Sequence, residues 1–205
     1  MQSIEDKIYN RIRSHGRAWA MSNSDLCDIA PEITVRSALY RLKQRNIIRA
    51  ILPGIYDYPK YSEFLQEFMA PDIDSVSHAI ARKFGWRIQI SGSAALNYLD
   101  ISTQVPGRNI YLSDGPNRNY NILGQTLEFK HASLPESGLK YDRSELLVQA
   151  IRSLGRENVT PEILNSLQKK FNNEELRHIL KDTQYVTGWI YENIKQICHS
   201  EINHG

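Results

Sequence analysis

TVRSALYRLKQRNIIRAILPGIYD, Thr34 to Asp57, is the stretch on which the fold turns. It carries five basic residues, Arg36, Arg41, Lys43, Arg45 and Arg49, and no acid before Asp57. Val35, Ala38, Leu39 and Leu42 recur at the i, i+3, i+4, i+7 spacing that gathers side chains on one helix face, with Thr34 as the expected N-cap. That face should pack inward. Arg36, Ser37, Tyr40, Arg41, Lys43 and Gln44 are then left outside, where guanidinium and amide groups can meet phosphates or base edges. Beyond the helix, Ile47 to Leu52 and Ile55 to Tyr58 flank Pro53-Gly54 and read as the strands of a hairpin.

Upstream, Ser3 can cap a helix through about Ser14, with Ile4, Ile8, Tyr9 and Ile12 as its apolar stripe and Gly16 after its end. Ser22, Asn23 and Ser24 can cap a second short helix near Asp25 to Ile29, which Pro31 stops. Helix, short helix, turn, basic helix, hairpin is the order of a winged helix-turn-helix. Residues 1–60 are therefore expected to form a winged helix-turn-helix DNA-binding domain. Its candidate DNA contacts are Arg17, Arg36, Ser37, Tyr40, Arg41, Lys43, Arg45 and Arg49, with Arg13 beside them. Two plainer readings stand next to this one: a winged helix can serve as a protein-interaction module, and a basic helix face can simply be solvated.

Charge has the same local bias. The chain of 205 residues has a formal net charge of +2, yet residues 1–60 hold ten Lys/Arg against six Asp/Glu. At 41% hydrophobic residues there is enough apolar material for a core. No apolar run approaches the roughly 20 residues of a membrane helix, and Glu5 and Asp6 do not suit a secretory leader, so a cytoplasmic protein is expected. Cys27 and Cys198 are the two cysteines. They lie far apart with no ligand-spaced histidine pair, and neither Cys198-His199 nor the terminal His204 makes a preorganised zinc site. No metal and no cofactor are expected.

The expected fold class of the whole is α+β, with residues 61–205 forming a mixed α/β domain. Tyr58 to Pro71 reads as a linker too apolar to be free. A helix should run from Asp72 to Gly85, then a strand at Trp86 to Ile90, then a Gly92-Ser93 turn opening a helix of small residues. Strands at Asn109 to Asp114, Arg118 to Ile122 and Thr126 to His131 are expected to form an antiparallel meander. Helices starting near Ser144, Thr160-Pro161 and Asn173, and a last one carrying Val186, Trp189, Ile190, Ile194 and Ile197, should form a C-terminal bundle. The Gly-Ser turn invites a nucleotidyltransferase reading. That chemistry needs paired carboxylates on the next strand to hold two divalent ions, and this strand offers only Asp114, with Leu112 where a second acid would stand and Asp100 at a helix end. No catalytic residue is assigned, and the lone His131 is expected to be structural.

The chain resembles the AbiEi-type antitoxins of bacterial type IV toxin–antitoxin systems. The resemblance rests on the basic helix with IIRAILPGIYDYPK at Ile47 to Lys60, on PDIDSVSHAIARKFGWRIQISGSAALNYLDISTQVP from Pro71, and on YLSDGPNR with TLEFKHA. It implies an N-terminal domain that binds operator DNA and represses its own operon, and a C-terminal domain that counters a nucleotidyltransferase-like toxin. DNA contacts would fall at Arg36, Ser37, Tyr40, Arg41 and Lys43, with Arg49 and Pro53-Gly54 at the wing. The expected partners are double-stranded DNA and, directly or indirectly, that toxin, for a non-enzymatic monomer or weak dimer.

Overall fold

Burying the apolar stripe of the basic helix organises the first part of the chain. A computed structural model describes residues 2–102, 108–134 and 139–199 as mixed α+β. Helix α1 (Ile4–His15) opens with a capping box between Ser3 and Asp6 and buries Ile8 and Ile12. Strand β1 (Ala20–Ser22) and a 3-10 turn at Asn23–Leu26 follow, the turn closed by the Asp25 carboxylate, which accepts from the Ser22 N–H at 2.7 Å. Helix α2 (Glu32–Gln44) buries Val35, Ala38, Leu39 and Leu42, the stripe expected from their spacing. With Ile8, Ile12, Met21, Leu26, Ile48 and Tyr58 these residues make one core.

Two local expectations are corrected here. The short second helix is a single 3-10 turn, and α2 begins two residues before Thr34, with Pro31 at the N-cap position and no side-chain cap. Proline's fixed φ and missing N–H suit a helix entry, so the chain turns into α2 directly after it. Strands β2 (Arg49–Leu52) and β3 (Ile55–Asp57) form the expected hairpin across Pro53-Gly54, where Gly54 has φ +73°. Strand β1, not expected from the sequence, completes an antiparallel sheet in the order β1-β3-β2. Asp57 therefore pairs with Ala20 on one side and Arg49 on the other. Its carboxylate is 1% exposed and is held by the Arg49 Nε at 3.1 Å and a second guanidinium nitrogen at 2.5 Å.

The Tyr58 to Pro71 region holds a small hairpin of β4 (Tyr61–Ser62) and β5 (Glu67–Phe68). Phe64 at its tip is 94% exposed, and Leu65 and Phe68 are exposed too, so the expectation that these apolar residues dock is not met. Helix α3 (Ile73–Phe84) runs as read, capped by Asp72 and ended by Gly85 in the left-handed conformation. It packs on β1 and β3. The Ser75 hydroxyl accepts from the Ala20 N–H at 2.7 Å, and Arg82 reaches Asp25 at 2.6 Å and the Ala20 carbonyl at 3.0 Å. The first compact unit accordingly comprises Met1–Ile88 and Arg118–Glu128, and the second Gln89–Asn117 and Phe129–Gly205.

Strand β6 (Ile88–Ile90) leads to helix α4 (Gly92–Tyr98), which Ser91 caps. Strands β7 (Arg108–Ser113), β8 (Arg118–Ile122) and β9 (Gln125–His131) follow. Their sheet has the order β6-β7-β9-β8, which corrects the expected meander. The alternation explains it: β9 buries Leu127 and Phe129 completely, whereas β8 is largely exposed and takes the edge. The Ala132 N–H donates to the Ser113 carbonyl at 3.0 Å, setting the end of β9 beside the end of β7. His131 fixes the intervening turn, its backbone N–H on the Asn117 carboxamide oxygen at 2.6 Å and its Nδ1 2.9 Å from the Gly115 carbonyl.

Four helices complete the second unit: α5 (Asp142–Leu154), α6 (Pro161–Gln168), α7 (Asn173–Asp182) and α8 (Gly188–His199). Helix α5 starts earlier than expected, and Ser144 is buried within it rather than capping it. It lies against α4, α7 and α8, and its Leu147, Val148 and Ile151 share a core with Leu167, Ile179, Ile190 and Ile194. The Gln104, Val105 and Pro106 end of the long family block and the terminal His204 lie outside the described residues.

The Leu39 side chain is fully buried, so Leu39→Ala should lower unfolding free energy by about 2–5 kcal/mol. Arg49→Ala, which strands a buried carboxylate, should cost about 3 kcal/mol. Urea denaturation followed by circular dichroism measures both.

Candidate nucleic-acid interface

Because one face of α2 is fixed inward, its opposite face is fixed outward. Arg36, Ser37, Tyr40, Lys43 and Gln44 are all exposed on it, together with Ile33 in the first turn, which is 79% exposed. Tyr40, expected on the outer face, is 59% exposed and does not cover the core. The Ser37 hydroxyl donates to the Ile33 carbonyl at 3.0 Å, as helix serines commonly do, and must leave that bond to donate to a ligand.

The cations divide by what already holds them. Arg36 lies 2.5 Å from Glu32, one turn back on the same helix, and Glu32 also accepts from the Asn23 carboxamide at 2.8 Å. Arg41 and Arg45 share one acid: Glu5, in the first turn of α1, takes the Arg41 Nε at 2.6 Å and an Arg45 guanidinium nitrogen at 2.8 Å. Lys43 has no carboxylate partner among the described residues. Arg49, expected at the wing, is turned onto Asp57 and the Met69 carbonyl. Arg17 lies with its guanidinium 3.9 Å from the centre of the Tyr58 ring and donates to the Pro59 carbonyl at 3.1 Å. Arg36, Ser37, Tyr40 and Lys43 are thus gathered on one exposed face, Arg41 and Arg45 on its border with α1, while Arg17 and Arg49 make structural contacts away from it.

Glu5 lies in the first turn of α1, where an acid suits the positive end of the helix. Its partners stand 36 and 40 positions away, so no local pattern announces them. The hydrogen bond from Arg41 holds the Glu5 carboxyl below its ordinary range, Arg45 adds to this, and partial burial opposes it.

The residues weighed for nucleotidyl transfer sit differently. A Cβ on Gly92 would come within 2.5 Å of the Ser153 Cβ, so the glycine is required by close packing of α4 on α5. Asp100 is exposed and pairs with Lys170 at 2.7 Å; Asp114 is exposed just beyond β7. Among the described residues no group of three His, Cys, Asp or Glu could hold a metal ion. Cys27 is exposed, and burial pushes the Cys198 thiol up to about 11. No described helix is long and apolar enough to cross a membrane.

A family model described as "Family of unknown function (DUF6088)" matches residues 7–179. The chain belongs to this family. The match takes in α1 from Lys7 onward, the basic helix, the hairpin and most of the second unit, so the DUF6088 region holds the candidate interface except Glu5. No curated protein matches the chain. Among solved structures it is similar to the crystal structure of the RV2827C protein from Mycobacterium tuberculosis. The identity is 12% over 94% of this chain and 74% of that one, with a TM-score of 0.41, a likeness too low to transfer any property.

Glu5 has a folded-state pKa below its unfolded value, so its ties to Arg41 and Arg45 contribute above the ordinary carboxylate range and are lost as pH falls through the folded value. Both arginines are well exposed and screened. Glu5→Gln should therefore cost only about 0.2–1 kcal/mol at neutral pH. It should also flatten the loss of stability on acidification below about pH 4.5. Urea midpoints of both proteins across that range test the assignment.

Proposed function

We propose that the protein is a DNA-binding transcriptional regulator whose first 60 residues act as a winged helix-turn-helix, with α2 as the recognition helix and the β2–β3 hairpin as the wing. The observation that carries this reading is the exposed face of α2, where Arg36, Tyr40 and Lys43 stand free of the core beside the Arg41 and Arg45 pair. Such a face offers guanidinium, ammonium and phenol groups to phosphates and base edges in one groove. From the sequence resemblance we further propose that the regulated operon is the protein's own and that the protein is the antitoxin of a type IV toxin–antitoxin pair. Residues 61–205 would then counter a nucleotidyltransferase-like toxin.

The pairing of Arg41 and Arg45 with Glu5 fits this role physically. A phosphate oxygen can take the place of the carboxylate, so the two arginines are oriented before DNA arrives and must exchange one anion for another. An observation favouring the second reading, a protein-interaction module, is the exposed Phe64, Leu65 and Phe68 of the β4–β5 hairpin. The two readings differ in what the protein retains: DNA in the first, a protein in the second.

Gel shifts on the DNA upstream of the gene, beside scrambled DNA of equal length, should show specific retardation that weakens steeply with salt, because neutralised phosphates release counterions. Arg36→Ala with Arg41→Ala should abolish the shift. Loss of one base-reading contact should cost about 1–3 kcal/mol. Glu5→Gln should tighten binding to both DNAs by freeing two cations. Equal retention of both DNAs, or none, would overturn the repressor assignment and favour the interaction module.

A further inference from the structure

The wing as read from sequence lacks charge where it would meet a phosphate. From Ile47 to Tyr58 the only cation is Arg49, and its guanidinium is taken by Asp57. Pro53 and Gly54, at the tip, have no charge of their own. The fold brings one from elsewhere: Lys83, in the last turn of α3, donates from Nζ to the Pro53 carbonyl at 2.8 Å across 30 residues of sequence.

The approach is close. Gly54 adopts φ +73°, and a Cβ there would stand 2.8 Å from the Lys83 Nζ, so the ammonium lies directly on the tip backbone. Helix α3 is held in register for this by Ser75 on Ala20 and by Arg82 on Asp25 and Ala20, so Lys83 does not reach the tip as a free side chain. An ammonium has three donors and Pro53 takes one. Among the described residues no carboxylate pairs with Lys83; its other near neighbour is the Phe84 ring, 5.5 Å away. A cation without a counter-charge, fixed at a hairpin tip, is suited to a phosphate oxygen.

We propose that Lys83 is the phosphate-contacting residue of the wing tip, so that the DNA-binding surface takes in α3 and extends past residue 60. This rests on the DNA-binding reading above. The contact is to backbone and not to bases, and the test follows from that. In the full chain, Lys83→Gln, Lys83→Arg and a control, Lys169→Gln on the other unit, are titrated with operator and scrambled DNA between about 50 and 200 mM salt. Thermal melts of each variant establish folding.

Lys83→Gln should weaken both DNAs by a similar factor and make the dependence of log affinity on log salt shallower by about one. Lys83→Arg should keep the wild-type slope, as should Lys169→Gln. A Lys83→Gln protein with wild-type slope overturns the proposal, whether its affinity is unchanged or reduced, since a lysine that only supports the wing would alter affinity without altering counterion release. Should Lys83→Gln melt early, loss of the wild-type slope in the well-folded Lys83→Arg decides against it equally. Failure of the wild-type protein to bind either DNA sinks the DNA-binding reading itself, a result distinct from an unchanged slope.

Discussion

The inward packing of Val35, Ala38, Leu39 and Leu42 is the constraint from which the first unit follows. These side chains are essentially excluded from water, and each large one contributes roughly 1.5–3 kcal/mol by leaving it. Once that stripe is spent on the core with Ile8 and Ile12, α2 cannot rotate without exposing it. Its exposed residues are then determined by the same 3.6-residue period. The approach of α1 that buries Ile8 and Ile12 also brings Glu5 within reach of Arg41 and Arg45, so an electrostatic feature of the surface is a by-product of a hydrophobic one.

Net charge is a poor guide to the charge a surface can offer. The excess of basic residues in the first 60 is distributed among acids that need partners as much as it is presented to solvent. Asp57, almost fully buried in the middle strand, would be costly without Arg49, and Asp28 takes Arg11. Arg17 is spread over Tyr58. On the outer face of α2 and at the hairpin tip, what remains available is Lys43, the Glu32-paired Arg36, the exchangeable pair on Glu5, and Lys83.

The second unit is built by a different economy of residues. Small side chains let α4 lie close on α5, with Gly92 against Ser153, and α5 then supplies apolar residues to most of the remaining helices. The two strands after β7 differ sharply in what they can bury. Leu127 and Phe129 take β9 into the sheet, and the polar run Arg118 to Asn121 is left for the edge, where exposed backbone and polar side chains are compatible with water. The Leu123-Gly124 turn, with both φ positive, reverses the chain tightly enough to make that possible.

What the sequence determined by itself is whatever depends on neighbours within a turn or two of helix or a few residues of strand. The buried stripe of α2, the Asp72 cap and Gly85 stop of α3, the Thr160-Pro161 entry to α6 and the Pro53-Gly54 hairpin were all legible, because their causes are local. The entry to α2 lies three residues earlier than Thr34 suggests, since Thr34 and Pro31 both suit a helix entry and only the packed chain chooses. Tertiary structure alone decided the presence of β1, the order β6-β7-β9-β8, the exposed β4–β5 hairpin, the use of Arg49 inside instead of outside, and the meetings of Glu5 with Arg41 and of Lys83 with Pro53. Most of these join residues distant in the chain, from Arg49 with Asp57, 8 positions apart, to Ala20 with Asp57, 37 apart, or set strands in an order other than that of the chain. Such contacts are selected by which faces can be buried together, and periodicity along the chain carries no record of that choice.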